Sequence, residues 1–133
     1  MKAVPDLSGH ARPLGPYSHA VVANGFVFVS AQTPAVPGAK PGEWAAADIQ
    51  GQTRQCLRNV ESILKELGLG LDAVVKTTVF LRDLKDFKGM NEAYEEFFRT
   101  EPPARSPSIL GADAPGALVA IEAIAVYEPR HEG

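Results

Sequence analysis

Cysteine is almost missing from this chain. Cys56 is the only one, which excludes an internal disulfide and any cysteine-built metal cluster. Histidine is nearly as scarce, and His10, His19 and His131 are too far apart for a His-x-x-x-His pair, so no metal is expected. A glycine-rich phosphate loop and a G-x-S-x-G nucleophile turn are absent too, and no cofactor is expected. No apolar run approaches the ~20 residues of a spanning helix. The opening MKAVPDLSGHARPLGPY lacks the apolar stretch of a secretory signal, so the expectation is a cytoplasmic protein with no membrane partner. An excess of one charge is lacking as well: 13 Lys and Arg face 16 Asp and Glu, for a formal net charge of −3. Charges mixed this evenly set up no long-range field to gather phosphates, and no nucleic-acid partner is expected.

What is present is apolar surface. With 45% of 133 residues hydrophobic, one domain spanning 1–133 is expected, its first fifteen residues an irregular arm. SHAVVANGFVFVSAQTP gives two β-rich runs around Asn24-Gly25, the dipeptide of a two-residue hairpin turn. A Pro- and Gly-rich loop follows, after which Asp48 caps a helix running to about Leu67. Ile49, Cys56, Leu57, Val60, Leu64 and Leu67 share one stripe of it, and Gly68 ends it. Cys56, beside Leu57, reads as a small core residue.

AVVKTTVFL, residues 73–81, is the third strand. Asp83 or Asp86 opens a second helix, whose buried side carries Phe87, Met90, Tyr94, Phe97 and Phe98, with Asn91 on the same side. A short strand after Arg105 and a long one from about Leu118 to Tyr127 complete the order β-β-α-β-α-β-β. The expected class is α+β, two helices on one face of a mixed sheet. Apolar residues on both faces of the last strand call for a cover on the side the helices leave bare, and a second copy of the chain is the economical one.

PPARSPSIL, residues 102–110, raises a separate question. Two prolines precede Arg105 and Pro107 follows, so a permanently charged side chain stands at the mouth of the sheet. Taken by itself, the arginine either binds something anionic or closes the loop through an Asp or Glu. His19 reads as a partly exposed strand residue.

Five segments in order, GPYSHA with Tyr17, VFVSAQTP with Ser30 and Gln32, VVKTTVFLRDLKDF leading into MNEAYEEFF with Asn91, PPARS, and IEAIAVYEPR, together resemble the YjgF/RidA family of reactive-intermediate (enamine/imine) deaminases. The likeness runs from about Gly15 to Val126. It implies a chorismate-mutase-like fold and a homotrimer with a central barrel of sheets and clefts between neighbouring subunits. It also implies hydrolysis of 2-imino or 2-enamino acids to 2-keto acids and ammonia. In that family the counterpart of Arg105 binds the substrate carboxylate, a task suited to a planar five-donor cation stiffened by prolines. Tyr17 would line the cleft, its ring on the substrate. Ser30 either contacts substrate or finishes a strand, Asn91 either contacts substrate or bonds a loop backbone, and Gln32 is a sheet-end residue.

Two positions depart from the family pattern. Active members have a cysteine two residues after the arginine, whose backbone amide holds substrate; here Pro107 has no N–H to give. Their last strand reads IEIEAIAV, and its first glutamate positions the attacking water. Here Ala120 stands in that place, and Glu122 matches the second glutamate. Residues two apart on a strand are ~6.6 Å apart along it, too far for Glu122 to act from that register. Its expected role is an ion pair with Lys76 or another cation of the sheet. The readings are therefore a deaminase of weakened or altered activity, a non-catalytic trimer binding small carboxylates, and, third, a ribonuclease or translation inhibitor, which the charge balance does not favour.

Overall fold

The computed structural model describes residues 1–7, 10 and 13–128; His131 and the end of the last quoted motif lie outside them. β1 (Ala20–Ala23) and β2 (Phe26–Gln32) form the expected hairpin. Its turn puts Asn24 at φ 51° and Gly25 at φ 79°, the left-handed pair that a two-residue turn needs to match strand twist. α1 (Ile49–Glu66) starts where Asp48 accepts a hydrogen bond from the Gly51 backbone N–H at 3.0 Å. It stops at Gly68, whose φ of 75° suits a residue without Cβ. β3 (Val74–Leu81), α2 (Phe87–Glu95), β4 (Ala104–Ile109) and β5 (Val119–Val126) follow.

The second helix departs from expectation in three ways. Asp83 caps a short 3-10 turn ahead of it through Lys85 N–H, and Asp86 makes no side-chain cap. The helix ends at Glu95, so Phe97 and Phe98 pack from the segment beyond it. Phe87, at the first turn, is 36% exposed rather than buried. At the next strand, Arg105 lies inside β4 rather than ahead of it. Nor is the amino-terminal arm wholly irregular, since Ala3 and Val22 exchange two 2.8 Å backbone hydrogen bonds.

The sheet order is β1-β2-β5-β3-β4, with β3 and β4 parallel and the other neighbours antiparallel. β4 is therefore an edge strand, which explains how it tolerates Pro107, a residue with no ladder donor. Both helices pack on one face. Leu57, Val60, Ile63 and Leu64 of α1 and Met90 and Tyr94 of α2 meet Val27, Val29, Val79, Val119, Ile121, Ala123 and Ala125 of the sheet. Full burial of each larger side chain is worth about 1.5–3 kcal/mol, so this seam dominates the stability of the protomer. Gln52, only 1% exposed, ties the seam to its loops. It donates to Ala46 O at 3.0 Å and Gly116 O at 2.9 Å, and accepts from Leu118 N–H at 2.7 Å.

The other sheet face is apolar and open in the single chain. Phe26 and Phe28 are 38% and 44% exposed, and Ile124 and Val126 are half-buried beside them. Both faces of β5 are thus largely apolar, as its sequence predicts, yet on the second only the Ala120 end is covered within the protomer.

Candidate functional site

Arg105 ends a transverse row that crosses every strand. Ala20 pairs with Val29, Val29 with Ala123, Ala123 with Thr77, and Thr77 with Arg105. Residues paired this way point to the same side of a sheet, so the arginine faces α2. The first four members of the row are dry, and only the last, on the edge strand, reaches half-exposed space. There the guanidinium carbon lies 4.8 Å from the centre of the Tyr94 ring and 5.7 Å from that of Phe87. Nη1 is 4.0 Å from Met90 Sδ. Among the described residues Arg105 has no carboxylate partner. Its positive charge rests against aromatic ring faces, which attract a cation without supplying an oxygen acceptor to its N–H groups.

Tyr94 is itself fixed. Its hydroxyl shares a 2.7 Å hydrogen bond with Thr77 Oγ1, a group 1% exposed and one strand in from Arg105. Burial pushes the Tyr94 hydroxyl pKa up, while the Thr77 bond and the Arg105 charge pull it down. The sequence marks Tyr94 as core through its helical spacing, and the structure adds its second role beneath the arginine. Thr77 escaped attention because TT within AVVKTTVFL reads as ordinary strand filler. The available signal was its alternation: a threonine on the helix-facing register of a central strand needs a buried partner.

Asn91, four residues after Phe87, is half-buried on the α2 side facing Arg105. The loop-backbone bond considered for it is not formed among the described residues. Pro107 is exposed on β4 opposite Val79. Tyr17 and Ser30 sit elsewhere, by the β1–β2 edge. Tyr17 is 50% exposed and meets His19 edge to face at 6.4 Å between centroids. The Ser30 hydroxyl donates to Ser18 O at 2.7 Å, closing the strand end. Gln32, buried at that end, donates to Ser30 O at 3.0 Å.

β1 and β4 are opposite edges of the sheet, separated by about four strand spacings, roughly 19 Å. One protomer therefore does not bring Tyr17 and Arg105 together. Ala120 points the other way again: it pairs with Phe80, is 3% exposed, and packs with Leu110 and Ala117 beside an apolar cleft of about 320 Å³. The wall of that cleft is held by Arg82, unremarked in the sequence. Its guanidinium donates to the carbonyls of Leu110 (2.7 Å), Ala112 (3.0 Å), Ala117 (3.2 Å) and Ala114 (3.3 Å).

Glu122 is half-buried on the open sheet face, opposite Thr78. The expected pair with Lys76 is not formed. Lys76 aligns with Ile124 rather than Glu122 and turns its ammonium to Ser106 Oγ at 2.6 Å. Cys56 is fully buried, with burial pushing its thiol pKa far up and its Sγ 3.6 Å from Val119 O. Among the described residues no group of three His, Cys, Asp or Glu side chains gathers as a metal site, and no helix is long and apolar enough to cross a membrane.

Comparison with known proteins places this geometry. Residues 9–127 match the family model described as Endoribonuclease L-PSP. A RutC family protein of Pyrococcus horikoshii is 42% identical over 128 residues, 96% of this chain and 100% of its own. The human 2-iminobutanoate/2-iminopropanoate deaminase is 35% identical over 116 residues, 87% of this chain and 83% of its own. The solved structure of E. coli TdcF with bound serine superposes with a TM-score of 0.83 at 35% identity, covering 95% of this chain and 99% of that one. With the sequence motifs, the two-helix mixed sheet and these relatives in agreement, the chain belongs to the YjgF/RidA family, the group that the endoribonuclease L-PSP model describes.

Proposed function

We propose that this protein hydrolyses 2-imino and 2-enamino acids to 2-keto acids and ammonia, with Arg105 binding the substrate carboxylate. The observation that carries the reading is the state of that arginine: on an aromatic surface at the sheet edge, half-exposed, with no acidic partner among the described residues. A carboxylate arriving in the plane of the guanidinium takes two parallel N–H donors, and the fork fixes both position and plane. The human relative is named for this chemistry and the E. coli one holds serine, itself a carboxylate.

The site is composite on this proposal. Tyr17 and the β1–β2 edge of one protomer face Arg105 and Asn91 of the next, which resolves the roughly 19 Å that separates them within a chain. A trimer closing its open sheet faces on one another would supply that contact and cover Phe26, Phe28, Ile124 and Val126. With the carboxylate held, water adds to the imine carbon and the resulting carbinolamine expels ammonia as the C=O forms. The water's protons end on the departing nitrogen. Ala120 supplies no base for this transfer, so positioning carries the rate, and turnover is slow relative to a member with glutamate there.

The test generates 2-iminobutanoate or 2-iminopropanoate in situ with an amino-acid oxidase and follows its disappearance through semicarbazone trapping. Accelerated loss by the wild-type protein, reduced about 10- to 100-fold in Arg105→Ala as a charged hydrogen-bond pair is lost, supports the reading. No acceleration at any protein concentration overturns it. Ala120 also favours a second reading, a trimer that binds small 2-keto acids without turnover. In that case 2-oxobutanoate raises Tm in an Arg105-dependent way while imine decay stays at the background rate.

A further inference from the structure

From the stacking of Arg105 on Tyr94 we infer that the Thr77–Tyr94 pair is the positioning device of the carboxylate site, taking the place of a counter-ion. The inference deepens the proposed function and rests on Arg105 being the carboxylate fork. An arginine on an edge strand has four side-chain torsions to restrain, and a carboxylate partner is one way to do it. Here a carboxylate partner would occupy the donors that substrate needs. The Tyr94 ring at 4.8 Å and the Phe87 ring at 5.7 Å restrain it instead. They attract the cation through the ring faces and put no oxygen acceptor on its N–H groups, of which Nη1 meets only the weak acceptor Met90 Sδ at 4.0 Å.

That arrangement works only if the ring itself does not turn. Tyr94 is 6% exposed, and Phe98 tilts against it at 4.8 Å between centroids. Its tip is pinned by the 2.7 Å bond to Thr77 Oγ1, a group on the strand that carries β4. The hydroxyl therefore ties the platform on α2 to the same sheet that presents Arg105. Helix and strand cannot slide relative to each other without breaking a buried hydrogen bond. Neither Thr77 nor Tyr94 need touch substrate: they act through the arginine.

The experiment measures the dissociation constant of 2-oxobutanoate by calorimetric titration of the intact protein, with Tm recorded for each variant. Tyr94→Leu removes the platform and is expected to weaken binding tenfold or more. Thr77→Val keeps the shape, removes the pin and is expected to weaken binding three- to tenfold, while Thr77→Ser restores affinity to within twofold of wild type. Where imine turnover is measurable, the same variants raise KM and leave kcat within twofold. A purely structural role would lower Tm in both threonine variants without this split in affinity. If Tyr94→Leu does not fold, Tyr94→Phe, which loses the pin from the other side, is expected to match Thr77→Val.

Wild-type affinity in a folded Thr77→Val and Tyr94→Phe overturns the inference. If Arg105→Ala abolishes binding in the same series, the proposed function stands and only the platform is refuted. If the wild-type protein and Arg105→Ala give the same null titration, the carboxylate site itself is refuted and the platform with it.

Discussion

Replacing Ala120 by glutamate asks directly what the missing carboxyl group is worth. Ala120 is 3% exposed among Leu110, Ala117 and Phe80, and it borders an apolar cleft of about 320 Å³ that has room for the added carboxyl. If position 120 faces the bound imine in the assembled protein, a general base there should raise kcat about 10²- to 10⁴-fold, which is about 2.7–5.4 kcal/mol off the barrier. The apolar surroundings disfavour the ionised form and raise its pKa above the ordinary carboxylate value. Two consequences follow. The gained rate rises with pH as the group ionises, where the wild-type rate has no such limb. Stability responds oppositely: the folded state holds its proton to higher pH than the unfolded chain, so the ionisation penalty is absent below the unfolded pKa and grows as pH climbs through the interval between the two pKa values. Each unit of elevation costs about 1.36 kcal/mol. The assay is semicarbazone-trapped decay of 2-iminobutanoate between pH 6 and 9, with urea titrations across the same range and Ala120→Gln as the uncharged control. A folded Ala120→Glu whose kcat equals that of Ala120→Gln refutes the placement of this position at the reacting carbon.

Three further outcomes are expected. Gln52→Leu leaves the Ala46 and Gly116 carbonyls and the Leu118 N–H without their buried partner. At ~1–3 kcal/mol for a group left without a partner, and with water reaching some of them, the loss is about 3–5 kcal/mol by urea titration; a change below about 1 kcal/mol refutes the clamp. Phe28→Asp puts a charge on the open sheet face, where Phe28 pairs with Ile124. It should shift light-scattering mass toward the monomer and reduce imine turnover with it, and an unchanged mass counts against that face as the subunit interface. Cys56, deeply buried with its thiol pKa pushed up, should react with a thiol-specific disulfide reagent at pH 8 only as fast as the protein unfolds; stoichiometric labelling within seconds in buffer contradicts that burial.

The sequence carried most of the fold because local signals and tertiary packing agree in it. Asn24-Gly25 fixes a hairpin, Asp48 and Gly68 bracket α1, and the alternation in β3 and β5 marks their faces, each a short-range preference that the sheet then uses. The second helix was read less well. Phe97 and Phe98 keep the helical spacing, yet they pack from beyond Glu95, where the chain has already left the helix, and periodicity does not distinguish those cases. Lys76 and Glu122 illustrate the same limit: opposite charges on neighbouring strands suggest a pair, yet the register sets Lys76 opposite Ile124, two places along from Glu122, and the lysine turns to Ser106.

By itself, the sequence determined the elements, their order, the apolar character of both sheet faces and the presence of a fixed cation at Arg105, because these follow from residue type and spacing within a few positions of one another. The tertiary structure decided what that cation rests on. Tyr94, Thr77 and Arg105 are 11 to 28 positions apart and meet only because β4 lies parallel to β3 under α2. It also decided that Tyr17 and Arg105 occupy opposite edges of one sheet, since strand order is set by how the chain crosses the sheet and no local pattern encodes that crossing.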